Sequence, residues 1–560
     1  MTRLWKILNG EMRGLHEAAY LLGFFALASQ VLALLRDRLF AGAFGAGATL
    51  DAYFAAFRIP DLILISAASL VSASILIPFL VEKERDGKKE ERQFIDALFS
   101  AFFLGIAALA AIAYIFAPRI VPLFFPGFSD GLSSDTILLT RIMLLQPILL
   151  GISNLFGSIL QARGRFFVYA VSPLLYNFGI IFGVVLLYPT IGIAGLAWGV
   201  VFGAALHMLV QAPAVLSVGL LPRLTSSFPW SELKRVAILS LPRTASLGAL
   251  NLASLVLLSI ASSIGAGSIA IFSFAWNVQS VPLAIVGVSY SLAAFPTLVR
   301  LFAKKAANEF IAGVATAFRS IVFWSLPAAA LFIVLRAQIV RVILGAGEFS
   351  WTDTRLTAAA LAIFAVSLAA QSLSLLFLRA HYASGCTARP LIASAIAAAA
   401  TVLFGFALAI AFARYQQFQF FMESLLRVPN VAGSKVLALP LAYSLGAFLH
   451  LALLWLFFAQ NVRGLWRRVS RSVFENFAGA VLAGAAAYGG LNFFDNFFNL
   501  EKTAGIFLQG FLAGLLGIAV WVLALYLLKS RDLAEAWATL HRKVWRQKAI
   551  SPDPSDAPTL

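Results

Sequence analysis

Apolar stretches recur along the whole chain, separated by short polar connections. They run over 17–40, 51–80, 93–117, 136–162, 166–188 and 191–218, then 234–263, 268–299, 311–335, 355–382, 389–413 and 436–459, and finally 473–494 and 504–528. An α-helix rising 1.5 Å per residue needs about twenty apolar residues to cross roughly 30 Å of hydrocarbon. Each stretch meets that length, so the pattern predicts an all-α polytopic membrane protein with about fourteen transmembrane helices.

Composition agrees. Of the 560 residues, 61% are hydrophobic and 12% charged, against roughly 25% charged in an ordinary soluble domain, and the mean hydropathy is +0.90. The first sixteen residues, MTRLWKILNGEMRGLH, lack the apolar run and small-residue site of a cleavable signal, so the first apolar stretch is expected to be retained. Cys386 is the sole cysteine, which excludes disulfides within the chain and thiolate-built zinc or iron–sulfur sites.

The net charge of +17 is spread between apolar spans and not gathered with aromatics on one compact domain, so it points away from nucleic acid. Its distribution sets orientation. Fourteen spans put both termini and the even-to-odd connections on one side, and those segments hold 28 of the 42 Lys and Arg. By the positive-inside rule that side is cytoplasmic, with N- and C-termini inside. Residues 82–92, EKERDGKKEER, read as a solvated connector, and 414–435 as an outside loop. The segment from Lys529 through Lys548 reads as a basic amphipathic helix with Trp537 and Trp545 at the interface, before a Pro- and Asp-containing end.

The chain also resembles itself. GAGATLDAYFAAFRIP (45–60) matches GAGSIAIFSFAWNVQSVP (265–282); Pro78 answers Pro296, RIVPLFFPGF (119–128) answers QIVRVILGAGEF (338–349), and ARG (162–164) answers ASG (383–385), all at offsets near 220. Two six-helix lobes follow, 1–220 and 221–462, with two further helices over 463–528 and a basic cytoplasmic tail over 529–560. An even number of spans per repeat relates the lobes by an axis along the membrane normal, with a cavity between them walled by spans one, two, seven and eight.

Charges inside spans are costly and mark functional candidates. Arg36, Asp37 and Arg38 end span one, while Asp51, Arg58 and Asp61 fall near one stripe of span two. Two roles suit them: an ion-pair cluster that clamps the two helices, or a polar wall that receives an anionic headgroup, for which the planar guanidinium is suited. Arg141, Arg243 and Arg319 are more isolated. Enzymatic chemistry finds no footing: the five histidines lack HExxH spacing, no Walker A, GxSxG or acidic-pair motif occurs, and His207 and His450 read as packing residues.

The run RDRLFAGAFGAGATLDAYFAAFRIPDL (36–62), IPFL (77–80), ILQARGRF followed by YAVSPLLYN (159–177), GAGEFSWTDTRLTAAALAIFAVSL (345–368) and LRAHYASGCTARP (378–390) together resemble the MurJ (MviN) lipid II flippases. The likeness covers essentially the whole chain in order. It implies a member of the multidrug/oligosaccharidyl-lipid/polysaccharide exporter superfamily in a bacterial inner membrane, whose lobes open a central cavity alternately inward and outward. The implied cargo is the lipid-linked peptidoglycan precursor, an anionic sugar-phosphate, and spans thirteen and fourteen correspond to the family's lipid-tail groove. Arg36, Asp37, Asp51 and Arg58 match the family's pattern. Gln30, Leu64 with Ile65, Ser69 with Leu70, and Asn277 stand where the family usually has an arginine, an RR pair, an AEGA stretch and another arginine.

The substrate-binding set expected from residues and resemblance together is Gln30, Arg36, Asp37, Asp51, Arg58 and Asn277. No cofactor is expected; membrane potential or an unidentified coupling ion would drive transport. Membrane lipids and cell-wall synthesis proteins are the expected partners. Beside lipid II flipping, the sequence leaves open export of another polyprenyl-linked oligosaccharide or amphipathic molecule, and a transport-dead scaffold for cell-envelope synthesis.

Overall fold

Proline placement explains where the spans break. A proline cannot donate to the carbonyl four residues earlier, so a helix tends to end there. In the computed structural model, which describes residues 15–68, 73–460, 462 and 464–545, helix α1 (Leu15–Phe44) leads into a second span that is broken between α2 (Ala48–Ala56) and α3 (Arg58–Ala68) and is described again from α4 (Ala73–Asp86). At the first break the last helical residue, Ala56, lies four residues before Pro60. After α5 (Lys88–Phe124), the fourth span is broken between α6 (Asp130–Met143) and α7 (Leu145–Ala162), with Met143 four residues before Pro147.

The fifth and sixth spans are α8 (Phe166–Phe182), extended by a π-helical segment to Ile191, and α9 (Ala194–Leu209). They approach along glycines four apart: a Cβ on Gly179 would lie 2.2 Å from the Gly203 Cα, and one on Gly199 2.5 Å from the Gly183 Cα. Small residues at this spacing let backbones touch where no hydrophobic drive separates helix from lipid.

The second half repeats the plan with α10 (Trp230–Ile264), α11 (Ser268–Pro282), α12 (Ser289–Ala303), α13 (Ala307–Val334), the short α14 (Arg336–Ile343), α15 (Trp351–Val366), α16 (Leu368–Ala383), α17 (Ala388–Arg414), α18 (Gln416–Leu426) and α19 (Ala438–Ala459). Helices α20 (Leu465–Phe494), α21 (Thr503–Leu527) and α22 (Arg531–Trp545) follow. Equivalent positions carry equivalent devices. Ser129 and Ser350 cap α6 and α15, breaks at Leu144 and Ser367 follow, and Gly164 and Gly385 turn the chain with φ of +69° and +73° beyond α7 and α16.

Among the described residues, eleven helices are long and apolar enough to cross a bilayer, or twelve with α15 and α16, bent by 44°, taken as one span. The two other predicted spans are helical but atypical: α1 carries Arg36, Asp37 and Arg38 in its interior rather than at its end, and the second is broken at Phe57. The N-terminal fourteen residues, Ser69 with Leu70, and the tail end beyond Trp545 lie outside the described residues.

Among the described residues one core joins the halves, and the other three clusters lie mainly on one side or the other. The shared core packs Phe40, Leu50 and Tyr53 of the first half with Phe274, Phe349 and Phe364 of the second, at the end bearing the Gly-Ala-Gly turns. Toward the Lys/Arg-rich end each half has its own cluster, around Phe94 and Leu160 in the first and Phe318 and Phe377 in the second. Only α10 crosses over there: Leu233 and Val236 join the first half's cluster, and Lys83 pairs with Glu232 at 2.5 Å.

At the joined end the contact is backbone on backbone. Gly267, at φ +84°, faces the Ala46 carbonyl so closely that a Cβ would stand 2.0 Å from it, and Glu348 N–H donates to the Gly42 carbonyl at 3.0 Å. Asp51 secures the junction from α2. Its carboxylate, 1% exposed, accepts from the N–H groups of Gly267 at 2.6 Å and Ala270 at 2.8 Å, at the positive N-terminus of α11. Asp353 answers it from the other half, accepting from Ala46 N–H at 3.3 Å while closing the capping box with Ser350.

The 414–435 segment is folded. Helix α18 presents Tyr415, Phe420, Phe421 and Leu425 outward and buries Glu423, which accepts from Ser434 Oγ at 2.6 Å, Gln419 Nε2 at 2.7 Å and Asn430 N–H at 3.2 Å. Burial alone would raise the Glu423 carboxyl, but these donors outweigh it and hold the group below the usual carboxylate range.

Three outcomes follow from this packing. Asp51→Ala leaves two buried N–H groups without a partner and should cost about 1–3 kcal/mol, seen as a lower thermal transition and as faster maleimide labelling of a cysteine placed at 46 in a Cys386→Ser background. Gly199→Leu should cost about 1–3 kcal/mol or more by forcing α8 from α9, read by the same transition. A depressed carboxyl stabilises above its unfolded pKa and loses that contribution as pH falls through the folded value, so hydrogen exchange over 416–437 should rise below about pH 4, and Glu423→Gln should flatten that dependence.

Candidate functional site at the junction of the halves

A carboxylate within an apolar helix must collect donors or be expelled. Asp37, 1% exposed on α1, collects them from both halves: Arg36 Nη2 at 2.7 Å and Nε at 3.0 Å from its own helix, and Asn277 Nδ2 at 3.0 Å from α11. Arg36 turns its remaining arm to Asn177 Oδ1 on α8 at 3.0 Å, and Asn177 Nδ2 reaches Ser29 Oγ at 3.2 Å. A continuous polar chain thus runs from α8 through α1 to α11, joining first half to second.

Its members keep some access. The Arg36 side chain is 18% exposed, and Gln30, Arg58, Asp61 and Asn277 are half-buried. Tyr53 and Tyr176 lie within electrostatic reach of Arg36, and Asp61 lies within reach of Tyr176. The result is a polar cluster between the halves, centred on the Arg36–Asp37–Asn277 link. Among the described residues Arg58 makes no ion pair and its buried Nε has no hydrogen-bond partner, while Asp61 accepts only a long 3.5 Å bond from Gln146 on α7.

The sequence-predicted residues therefore divide. Arg36, Asp37 and Asn277 are hydrogen-bonded together, and Arg58 stands beside Asp61 half-buried and unpaired; Gln30 is half-buried on α1 without a bond to any of them. Asp51 is drawn off to the α11 N-terminus, so the single stripe expected of Asp51, Arg58 and Asp61 is broken at Phe57. Arg38 leaves the group as well, donating to the Val342 carbonyl at 2.6 Å at the end of α14. Asn177 is the member that sequence reading missed. It sits in the quoted YAVSPLLYN stretch as a lone asparagine in an apolar span, which was the available signal.

The remaining candidates are structural in their surroundings. His207 shares a 2.7 Å hydrogen bond with Ser153, and His450 a 3.1 Å bond with Ser394. Arg141 stacks on Tyr114 and donates to its carbonyl; the Arg243 side chain lies outside the described residues. Among the described residues no three His, Cys, Asp or Glu side chains are placed to hold a metal ion.

Comparison with known proteins places this arrangement. The chain is similar in fold to a structure of lipid II flippase MurJ in an inward closed conformation, with a TM-score of 0.71 at 20% identity over 94% of this chain and all of the other. It also matches an inward-facing multidrug resistance MATE family transporter of the MOP superfamily, with a TM-score of 0.63 at 15% identity over 78% and 96%. In sequence it is 30% identical to the probable lipid II flippase MurJ of Bdellovibrio bacteriovorus over 70% of this chain and 77% of that protein. The family described as Lipid II flippase MurJ matches residues 40–509. The chain belongs to the lipid II flippase MurJ family, multi-pass transporters of the bacterial inner membrane and not enzymes.

Proposed function

We propose that this protein moves lipid II from the inner to the outer leaflet by alternating access between its halves, its polar headgroup passing through protein while the prenyl chain stays in lipid. Bare passage of a diphosphate and sugars through hydrocarbon is closed by the cost of each unpaired polar group and the far larger cost of each charge. The observation that carries the reading is the Asp37 bridge, because it ties the same guanidinium that suits a phosphate to the contact between the halves.

The bridge supplies a coupling. A phosphate arriving at Arg36 competes with Asp37 for the guanidinium, and a bidentate phosphate–Arg contact is among the strongest hydrogen-bonded pairs. Arg58, unpaired among the described residues, offers a second cation. Once Arg36 is taken, the Asp37 carboxylate loses its charged partner and holds to the opposite half through Asn277 alone, so the contact between the halves is weakened at this point. The core clusters favour such rocking, since each half keeps its own packing toward the Lys/Arg-rich end.

With that end cytoplasmic, a potential negative inside favours outward movement of the anionic headgroup by about 2.3 kcal/mol per charge per 100 mV. Asparagine at 277 and glutamine at 30 leave the cluster with fewer cations than the family usually has, so Arg36 and Arg58 carry a larger share of phosphate binding.

The test is rescue of a bacterial strain depleted of its own lipid II flippase, with lipid II in the outer leaflet measured by its accessibility to an external probe. The wild-type chain should restore both growth and exposure. Arg36→Ala and Arg58→Ala, at normal membrane levels, should lower exposure by about tenfold or more each, the loss of one charge-assisted contact, with Arg58→Lys retaining part. No rescue, accumulation of a different lipid-linked precursor, or full activity in both alanine variants would overturn the proposal.

A further inference from the structure

The mechanism leaves one strongly charged cavity unused. It lies where the Lys/Arg-rich ends of α13 and α20 meet the start of α22, has a volume of about 560 Å³, and is lined by Arg319, Arg467, Arg468, Arg471 and Arg531. None of these helices carries a residue of the central cluster. Five guanidinium groups around one hollow repel one another unless anions are supplied.

The chain supplies too few. Asp532, 8% exposed, is held by Asn476 Nδ2 at 3.1 Å and by Ser472, and pairs with Arg319 at 3.7 Å; Arg319 also meets Glu535 at 3.5 Å. Glu475 pairs with Arg471 at 2.5 Å. Both lining carboxylates are thereby committed. Arg468 reaches only the Asn308 carbonyl at 3.5 Å, and among the described residues Arg467 and Arg531 have no ion pair or hydrogen bond. The hollow is net cationic, with three guanidinium groups free to receive an anion.

Its surroundings are apolar. Trp466 is 52% exposed beside Arg467, Phe474 is 67% exposed three residues beyond Arg471, and Trp537 is 68% exposed two turns beyond Arg531. Tryptophan in this position belongs to the boundary between headgroups and acyl chains, and a basic pocket between helix ends at that boundary suits a lipid phosphate.

We propose that this cavity is a second anion site that binds the phosphate of an acidic phospholipid in the leaflet at the Lys/Arg-rich end, with Arg467, Arg468 and Arg531 on the headgroup and the acyl chains beside α20. The bound phosphate bridges α20 to α22, adding to the Asp532 contact that already fastens the C-terminal helix beneath α13. The site serves to seat that helix and is independent of cargo binding at the central cluster.

Native mass spectrometry of the full-length protein, with phosphatidylglycerol or phosphatidylcholine added in equal amount, tests this. Wild-type protein should retain phosphatidylglycerol over phosphatidylcholine by about fivefold or more, and Arg467→Gln with Arg531→Gln should bring the ratio near one. Both residues are exposed and unpaired, so the double variant should keep the wild-type thermal transition in phosphatidylcholine, while α22 should exchange amide hydrogen faster than wild type in phosphatidylglycerol. Equal retention of the two lipids by wild type, or an unchanged ratio in the double variant, overturns the site. Displacement of phosphatidylglycerol by millimolar inorganic phosphate overturns its assignment to a lipid. Cargo transport by the double variant reports on the central cluster separately.

Discussion

A carboxylate buried in a membrane protein must be surrounded by donors, and here the opposite half of the chain supplies some of them. Asp51 is satisfied by the N-terminus of α11 and Asp37 by Arg36 together with Asn277. If the halves separated and nothing replaced those donors, Asp51 would lose both backbone N–H groups and Asp37 its amide donor, leaving carboxylate oxygens unsatisfied at depth. The desolvation of two side chains thus holds the molecule closed at one end, and whatever replaces the donors is able to open it.

The two carboxylates differ in what can replace their partners. Asp51 accepts backbone N–H groups at a helix terminus, a contact that any water-exposed state restores, so it acts as a latch. Asp37 takes two of its hydrogen bonds from Arg36, a guanidinium that an anion can claim. Glycine makes both possible: at Gly267 the backbone of one half comes within touching distance of Ala46 in the other, a separation that any larger side chain would prevent. Latch, bridge and close approach lie together in the shared core, and the separate cores toward the other end leave room for relative movement.

The family match assigns the class of cargo, and on the proposed mechanism the residues between the halves set how this member handles it. Two cations and two carboxylates, Arg36 and Arg58 with Asp37 and Asp61, make the cluster near neutral, and amides at 30 and 277 give hydrogen bonding without charge. Five further arginines line the outlying hollow bounded by α13, α20 and α22. Cargo handling and membrane seating are in this way assigned to different arginines.

Span periodicity, the side bearing Lys and Arg, the duplication and the candidate charges were all legible in the sequence, because each follows from local chemistry: a helix needs length and apolarity, a turn needs glycine, and a charge in a span needs a reason. Pairing was not legible. The spacing of Asp51, Arg58 and Asp61 suggested one stripe, but Pro60 withdraws a donor from Ala56, the helix breaks at Phe57, and Asp51 turns to another helix altogether. Asn177 drew no notice because an amide becomes informative only when its partner is known, and that partner, Arg36, lies 141 residues away in the chain. The sequence by itself determined which groups must be satisfied within the membrane; the tertiary structure alone decided which ones satisfy each other, since hydrogen bonds across 216 to 240 residues depend on how whole helices pack and leave no periodic trace in the chain.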